Sequence, residues 1–162
     1  MRKKSFGCRV YNVANDYNIE QTSVNKIINS YINRCRCDLL CGREVRFINL
    51  VSLIPEVMTT NEIKTTAFYA KEVAAETGFP YYTVLAVIKN YLKGLVQDVL
   101  GLRNVDIRRI VRIHIVKRET KYSVHSAISA SMKGAMVGGN TVRVHTSKYL
   151  TSVLAEIERV AV

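Results

Sequence analysis

The hydrophobic positions fall into two copies of one pattern. Val24, Ile27, Ile28, Tyr31 and Ile32 recur at spacings of three and four, and so do Val84, Val87, Ile88, Tyr91 and Leu92. That period puts each set on one face of a helix and predicts long helices over about 22–41 and 81–100. A shorter helix is predicted before each, over about 8–17 and 65–77, ending near Asn18 or Gly78. Both residue types suit a left-handed C-terminal cap. Ser23 is the expected N-cap of the first long helix, and Pro80 is expected in the first turn of the second. Turns at Gly42-Arg43 and at Gly101–Asn104 then lead into extended segments at 45–54 and 105–118.

The likeness is positional as well as periodic. When the chain is slid along itself until Val13 meets Val73, 13–51 aligns with 73–111 without a gap. Val13/Val73, Ala14/Ala74, Val24/Val84, Ile28/Ile88, Tyr31/Tyr91, Asp38/Asp98, Leu40/Leu100, Arg43/Arg103, Val45/Val105 and Val51/Val111 are identical. An ungapped match through helix, turn and strand predicts a duplication. After Pro55 the first copy passes directly into the second. The second continues through a basic strand, Val111–Arg118, and an excursion rich in small residues, Ser123–Gly139. A strand at Thr141–His145 and a closing helix at Lys148–Val160 are predicted to follow. The expected architecture is α+β: a truncated repeat over 1–57 and a complete one over 58–162, with an arm at about 117–145.

Composition narrows what such a chain does. Hydrophobic residues make up 48% of the 162 residues and mean hydropathy is +0.04, which excludes a disordered basic tail. No window reaches the roughly 18 uninterrupted apolar residues of a membrane span. The start, Met1-Arg-Lys-Lys-Ser5, lacks the apolar stretch of a secretory signal. No membrane partner is therefore expected. Lys and Arg number 24 against 13 Asp and Glu, a formal net charge of +11. The excess is concentrated: residues 103–148 hold ten basic and two acidic side chains, a net of +8. Clustered positive charge is the usual footprint of phosphate contacts and points to an acidic partner.

Candidate chemistry is sparse. Cys35, Cys37 and Cys41 cluster at a predicted helix end, Cys37 and Cys41 on one face, with no His nearby and no familiar zinc spacing. Small buried thiols in a reducing compartment are expected, and no metal. His114, His125 and His145 accompany no nucleophile motif, and His114 and His145 are expected to face each other across strands. No G-x-x-x-x-G-K-[ST] or G-x-G-x-x-G loop occurs. The reading is of a non-enzymatic protein without cofactor, catalytic residue or small-molecule substrate.

Two helices, a three-stranded sheet with a long excursion and a short final helix resemble the HU/IHF family of bacterial histone-like DNA-binding proteins. The likeness is carried by Ala70-Lys-Glu-Val-Ala-Ala-Glu-Thr-Gly78, the helix Thr83–Leu100, the strand from Val105, and Val142-Arg-Val-His-Thr-Ser-Lys-Tyr-Leu150. The resemblance implies an intertwined pair of repeats, formed either within the chain or between neighbouring chains. It also implies phosphate contacts from Arg108, Arg109, Arg112, Lys117, Arg118, Lys121, Arg143 and Lys148. The family bends DNA with a proline wedge near each arm tip. Here the two prolines are Pro55 and Pro80, outside the arm, and the excursion 123–140 carries one charge, Lys133.

Tandem, diverged chains of this size are also similar to the IHF-like proteins of crAss-like tailed bacteriophages. That resemblance implies a virion building block of neck or tail rings, a homo-oligomer among other virion proteins. Ile128, Met132, Met136 and Val137 are then the candidate subunit contacts. The alternative expectation is a nucleoid-type protein of the host cytoplasm that binds duplex DNA through its basic strands.

Overall fold

The fold is given by a computed structural model that describes residues 6–117, 128–131, 136–137 and 140–147. It is mixed α+β, and the described residues form four helices and two small antiparallel sheets. In chain order these are α1 (Phe6–Tyr17), α2 (Gln21–Leu40), β1 (Val45–Phe47), β2 (Val51–Pro55), α3 (Thr66–Thr77) and α4 (Tyr81–Leu100). There follow β3 (Val105–Ile107), β4 (Val111–Lys117), β5 (Ile128–Ser131), β6 (Met136–Val137) and β7 (Asn140–Thr146).

The register of the sequence repeat recurs in the backbone. The bounds of α1, α2 and β1 fall at the positions that align with the bounds of α3, α4 and β3. The left-handed residues follow the same rule: Asn18 (φ 52°) and Gly78 (φ 77°), Gly42 (82°) and Leu102 (58°), Asn49 (60°) and Arg109 (58°). So do the bonds that close the long helices, Arg43 N–H to Asp38 O and Arg103 N–H to Asp98 O, both 2.8 Å. Asn18 and Gly78 terminate their helices as their residue types predict, because Asn and Gly tolerate the left-handed region. Gly42 has a further reason. A Cβ there would lie 2.8 Å from the Val57 carbonyl oxygen.

Two helix starts differ from expectation. Ser23 lies inside α2, whose N-cap is Glu20 in extended conformation with no side-chain cap. Pro80 stands at the N-cap of α4 rather than in its first turn. Thr65 caps α3, its hydroxyl oxygen accepting from the Phe68 N–H at 3.2 Å.

The halves pack on each other within the chain. α2 lies against α4, α1 packs on both α2 and α4, and α3 packs on both α4 and α2. The apolar stripes meet in one core, with Val24, Ile27, Ile28, Val84, Val87 and Ile88 fully buried. Burying such side chains contributes about 1.5–3 kcal/mol each. Tyr31 stacks edge-on with Phe47 and with Tyr69 of the other half, at 6.3 and 5.6 Å between centroids. Each sheet lays one apolar face on this core: Val45, Phe47, Val51 and Leu53 in the first, Val105, Ile107, Val111, Ile113 and Val144 in the second.

The strand orders are β1-β2-β5 and β3-β4-β7-β6. β5 therefore takes beside β2 the place that β7 takes beside β4. Leu53 pairs with Ala130 as Ile113 pairs with Val144. Among the described residues the excursion expected over 123–139 thus contains two strands, and one of them belongs to the first sheet. The closing helix expected at 148–160 lies outside the described residues.

Candidate nucleic-acid interface on the second sheet

Alternation along β3, β4 and β7 turns one side chain in two away from the core. Those positions are Asp106, Arg112, His114, Arg143 and His145, all exposed or half-buried. The register brings them together: Asp106 opposite Arg112, Arg112 opposite His145, His114 opposite Arg143. The imidazoles of His114 and His145 meet edge-on at 5.5 Å, as the sequence led one to expect. Arg112 Nη2 donates to Asp106 Oδ2 at 3.3 Å, while its side chain stays half exposed. At the rim, the β3–β4 turn presents Arg108 and Arg109, both exposed, and the Arg108 guanidinium lies 4.7 Å from the Phe6 ring centre.

The first sheet lacks this character. Its matching outward positions are Arg46, Ser52 and Ile54, with Arg46 Nε donating to Glu44 at 3.0 Å. The tip residue Ile48 stands where the second sheet has Arg108. One sheet face is basic and its counterpart is neutral.

The structure gathers Arg108, Arg109, Arg112 and Arg143 on or beside one face. Lys117 ends β4 opposite Asn140. Arg118, Lys121 and Lys148 lie outside the described residues. Among the subunit-contact candidates, Ile128 pairs in register with Pro55 of the same chain, and Met136 and Val137 form β6 opposite Thr141 and Asn140. Met132 lies outside the described residues.

Two polar clusters lie where the halves meet. In one, Asp38 accepts from the Tyr69 hydroxyl at 2.6 Å and from Lys64 Nζ at 3.2 Å. Burial, the nearby Cys35 and the bond to the Asp38 carboxylate push the Tyr69 hydroxyl well above its ordinary pKa. Burial likewise pushes the Cys35 thiol up. In the other cluster, Asp98 is ion-paired with Arg9 of α1, both buried, and lies 3.4 Å from Arg103 Nη1. Beside it a cleft of about 210 Å³ is lined by Arg9, Asp16, Asn90, Lys93 and Gly94 among others. The sequence reading missed Arg9 and Gly94. Gly94 stood in the self-alignment as a mismatch with Arg34, whereas Arg9, opposite Tyr69, lies upstream of the aligned residues.

Of the clustered thiols, Cys35 is buried as expected, but Cys37 and Cys41 are exposed, because their helix face points away from the core. Among the described residues no group of three or more His, Cys, Asp or Glu is placed to hold a metal ion. No helix among them is long and apolar enough to cross a membrane. No protein family, curated protein or solved structure with which the chain was compared matches it.

Proposed function

We propose that this protein is a non-enzymatic structural subunit of a tailed-bacteriophage virion, of the kind that builds neck or tail rings. On this reading its body is a tandem HU/IHF-like pair made within one chain. The observation that carries the reading is the position of β5. A DNA bender of that family needs an arm free to embrace the duplex, whereas here Ile128–Ser131 is hydrogen-bonded along β2 of the same chain. The segment's small residues suit close packing against protein rather than insertion between bases.

The test is to purify virions and quantify the chain against the major capsid protein, then to image the particles by electron microscopy. Recovery at a fixed stoichiometry with ring density at the neck or tail is the expected result. A chain found in infected-cell lysate and never in particles would overturn the proposal.

A second reading, duplex binding, is favoured by the basic outer face alone. It predicts an affinity that falls steeply with salt, because bound phosphates release counterions. Arg112→Ala with Arg143→Ala is expected to weaken binding and flatten the salt slope by about one to two, since each phosphate left unneutralised removes about one from it. Binding that ignores salt, or that is unchanged in the double variant, counts against it.

A further inference from the structure

The two halves pack reciprocally, α1 on α4 as α3 on α2, so their contacts can be compared at the aligned positions of the repeat. Some counterparts agree. Ser30 Oγ donates to Glu76 at 2.9 Å, and Asn90 Nδ2 donates to Asp16 at 3.4 Å. Asp38 and Asp98 are each bound by a residue of the opposite half, Tyr69 and Arg9 respectively. Three positions differ sharply, and they differ together, one of them Glu72, where the first half has Asn12.

Where the first half has Arg34 on α2, the second has Gly94 on α4. Where the second half has Tyr69 on α3, the first has Arg9 on α1. In the α2–α3 socket, Arg34 Nη1 lies 3.4 Å from Glu72, Arg34 Nη2 lies 2.8 Å from Glu76, and Tyr69 binds Asp38. In the α4–α1 socket, the guanidinium comes from the other side. Arg9 reaches across to Asp98, and its Nη1 lies 3.2 Å from where a Cβ on residue 94 would stand. Glycine at 94 is what leaves that space.

We infer that these are matched keys: Arg9 with Gly94 and Tyr69 with Arg34 make the helical face of each half accept the other half and reject a second copy of itself. Two first halves paired in the same geometry would drive Arg9 into the ground held by Arg34. Two guanidinium groups would then crowd one partly desolvated place, which is unfavourable both sterically and electrostatically. Two second halves would set Tyr69 over Gly94. Glu72 and Glu76 would lose Arg34, and the place of its side chain would be left as a void. Pairing of unlike halves is the arrangement that satisfies both sockets. The inference goes beyond the virion reading and does not depend on it. Its consequence is polarity: each chain carries one basic and one neutral sheet face in a fixed relation.

The full chain permits a test in which composition and net charge do not change. Arg9→Tyr with Tyr69→Arg puts each key in the wrong socket and is expected to lower the urea unfolding midpoint markedly. Adding Arg34→Gly and Gly94→Arg moves the sockets with the keys, and the fourfold variant is expected to regain most of that loss. A fourfold variant no more stable than the crossed double overturns the inference, as does a crossed double as stable as the parent. If neither variant folds, the α4–α1 socket alone decides. Arg9→Tyr and Gly94→Arg are each expected to lower the midpoint, and the two together to lower it less than their sum. Additive losses there also overturn it.

Discussion

At the scale of single residues, Ser30, Tyr69 and Asp98 are buried polar side chains held by partners far away in sequence. Tyr69 is 1% exposed, and its hydroxyl is satisfied by Asp38, which also binds Lys64. Tyr69→Phe keeps the ring and removes one hydrogen bond to a charged group, a loss of about 1.5–3 kcal/mol. Urea unfolding is the measurement, and an unchanged midpoint would refute the role given to this bond. The cysteines divide in the same way. In a Cys8→Ser background at pH 8, Cys37 and Cys41 are expected to react with a thiol reagent in the native state. Cys35 is expected to react only on unfolding, since it is buried and its thiol is held protonated. Counting rapidly titrated thiols decides this, with two expected and three contradicting it. The sequence showed the clustering and the shared face of Cys37 and Cys41. It did not show which face met the core, because a small offset along a helix decides which side chains are covered.

At the scale of elements, helices were far more legible than strand partners. The stripes through Ile28 and Ile88, the caps at Asn18 and Gly78 and the turns after α2 and α4 are all local signals, and each helix stands close to its predicted bounds. Ser23 failed as a cap because α2 begins earlier, after Glu20, leaving the hydroxyl inside the helix. The destination of the excursion was not legible, since β5 pairs with β2, a strand of the other half far earlier in the chain. Its attachment rests on main-chain bonds along Ser52–Pro55. Ser129→Pro removes one N–H from the ladder and is expected to free that strand. Amide exchange at 51–55 should then quicken while that at 111–115 stays slow. Equal protection of 51–55 in variant and parent would contradict the pairing.

At the scale of the whole molecule, the shared core fixes how stability depends on pH. Tyr31, Tyr69, Tyr91 and Cys35 are all pushed by burial above their ordinary values of 10.0 and 9.0. Above those values the unfolded chain releases protons that the folded chain keeps, so the unfolded state binds fewer and stability falls with rising pH. These four groups leave stability flat through neutrality and erode it above about pH 9. Urea midpoints measured from pH 7 to 11 check this, and Cys35→Ala should delay the onset of the fall. The sequence by itself determined the four helices from α1 to α4, their order, the internal repetition and the concentration of charge beyond residue 103. Each of these is written in local periodicity, residue type or direct self-comparison. Only the tertiary structure decided that the halves pair within one chain, that β5 completes the first sheet, and that Arg9 faces Asp98 across Gly94. An apolar stripe states that a face must be covered but not by what. The answer depends on shape, register and charge brought together from distant parts of the chain.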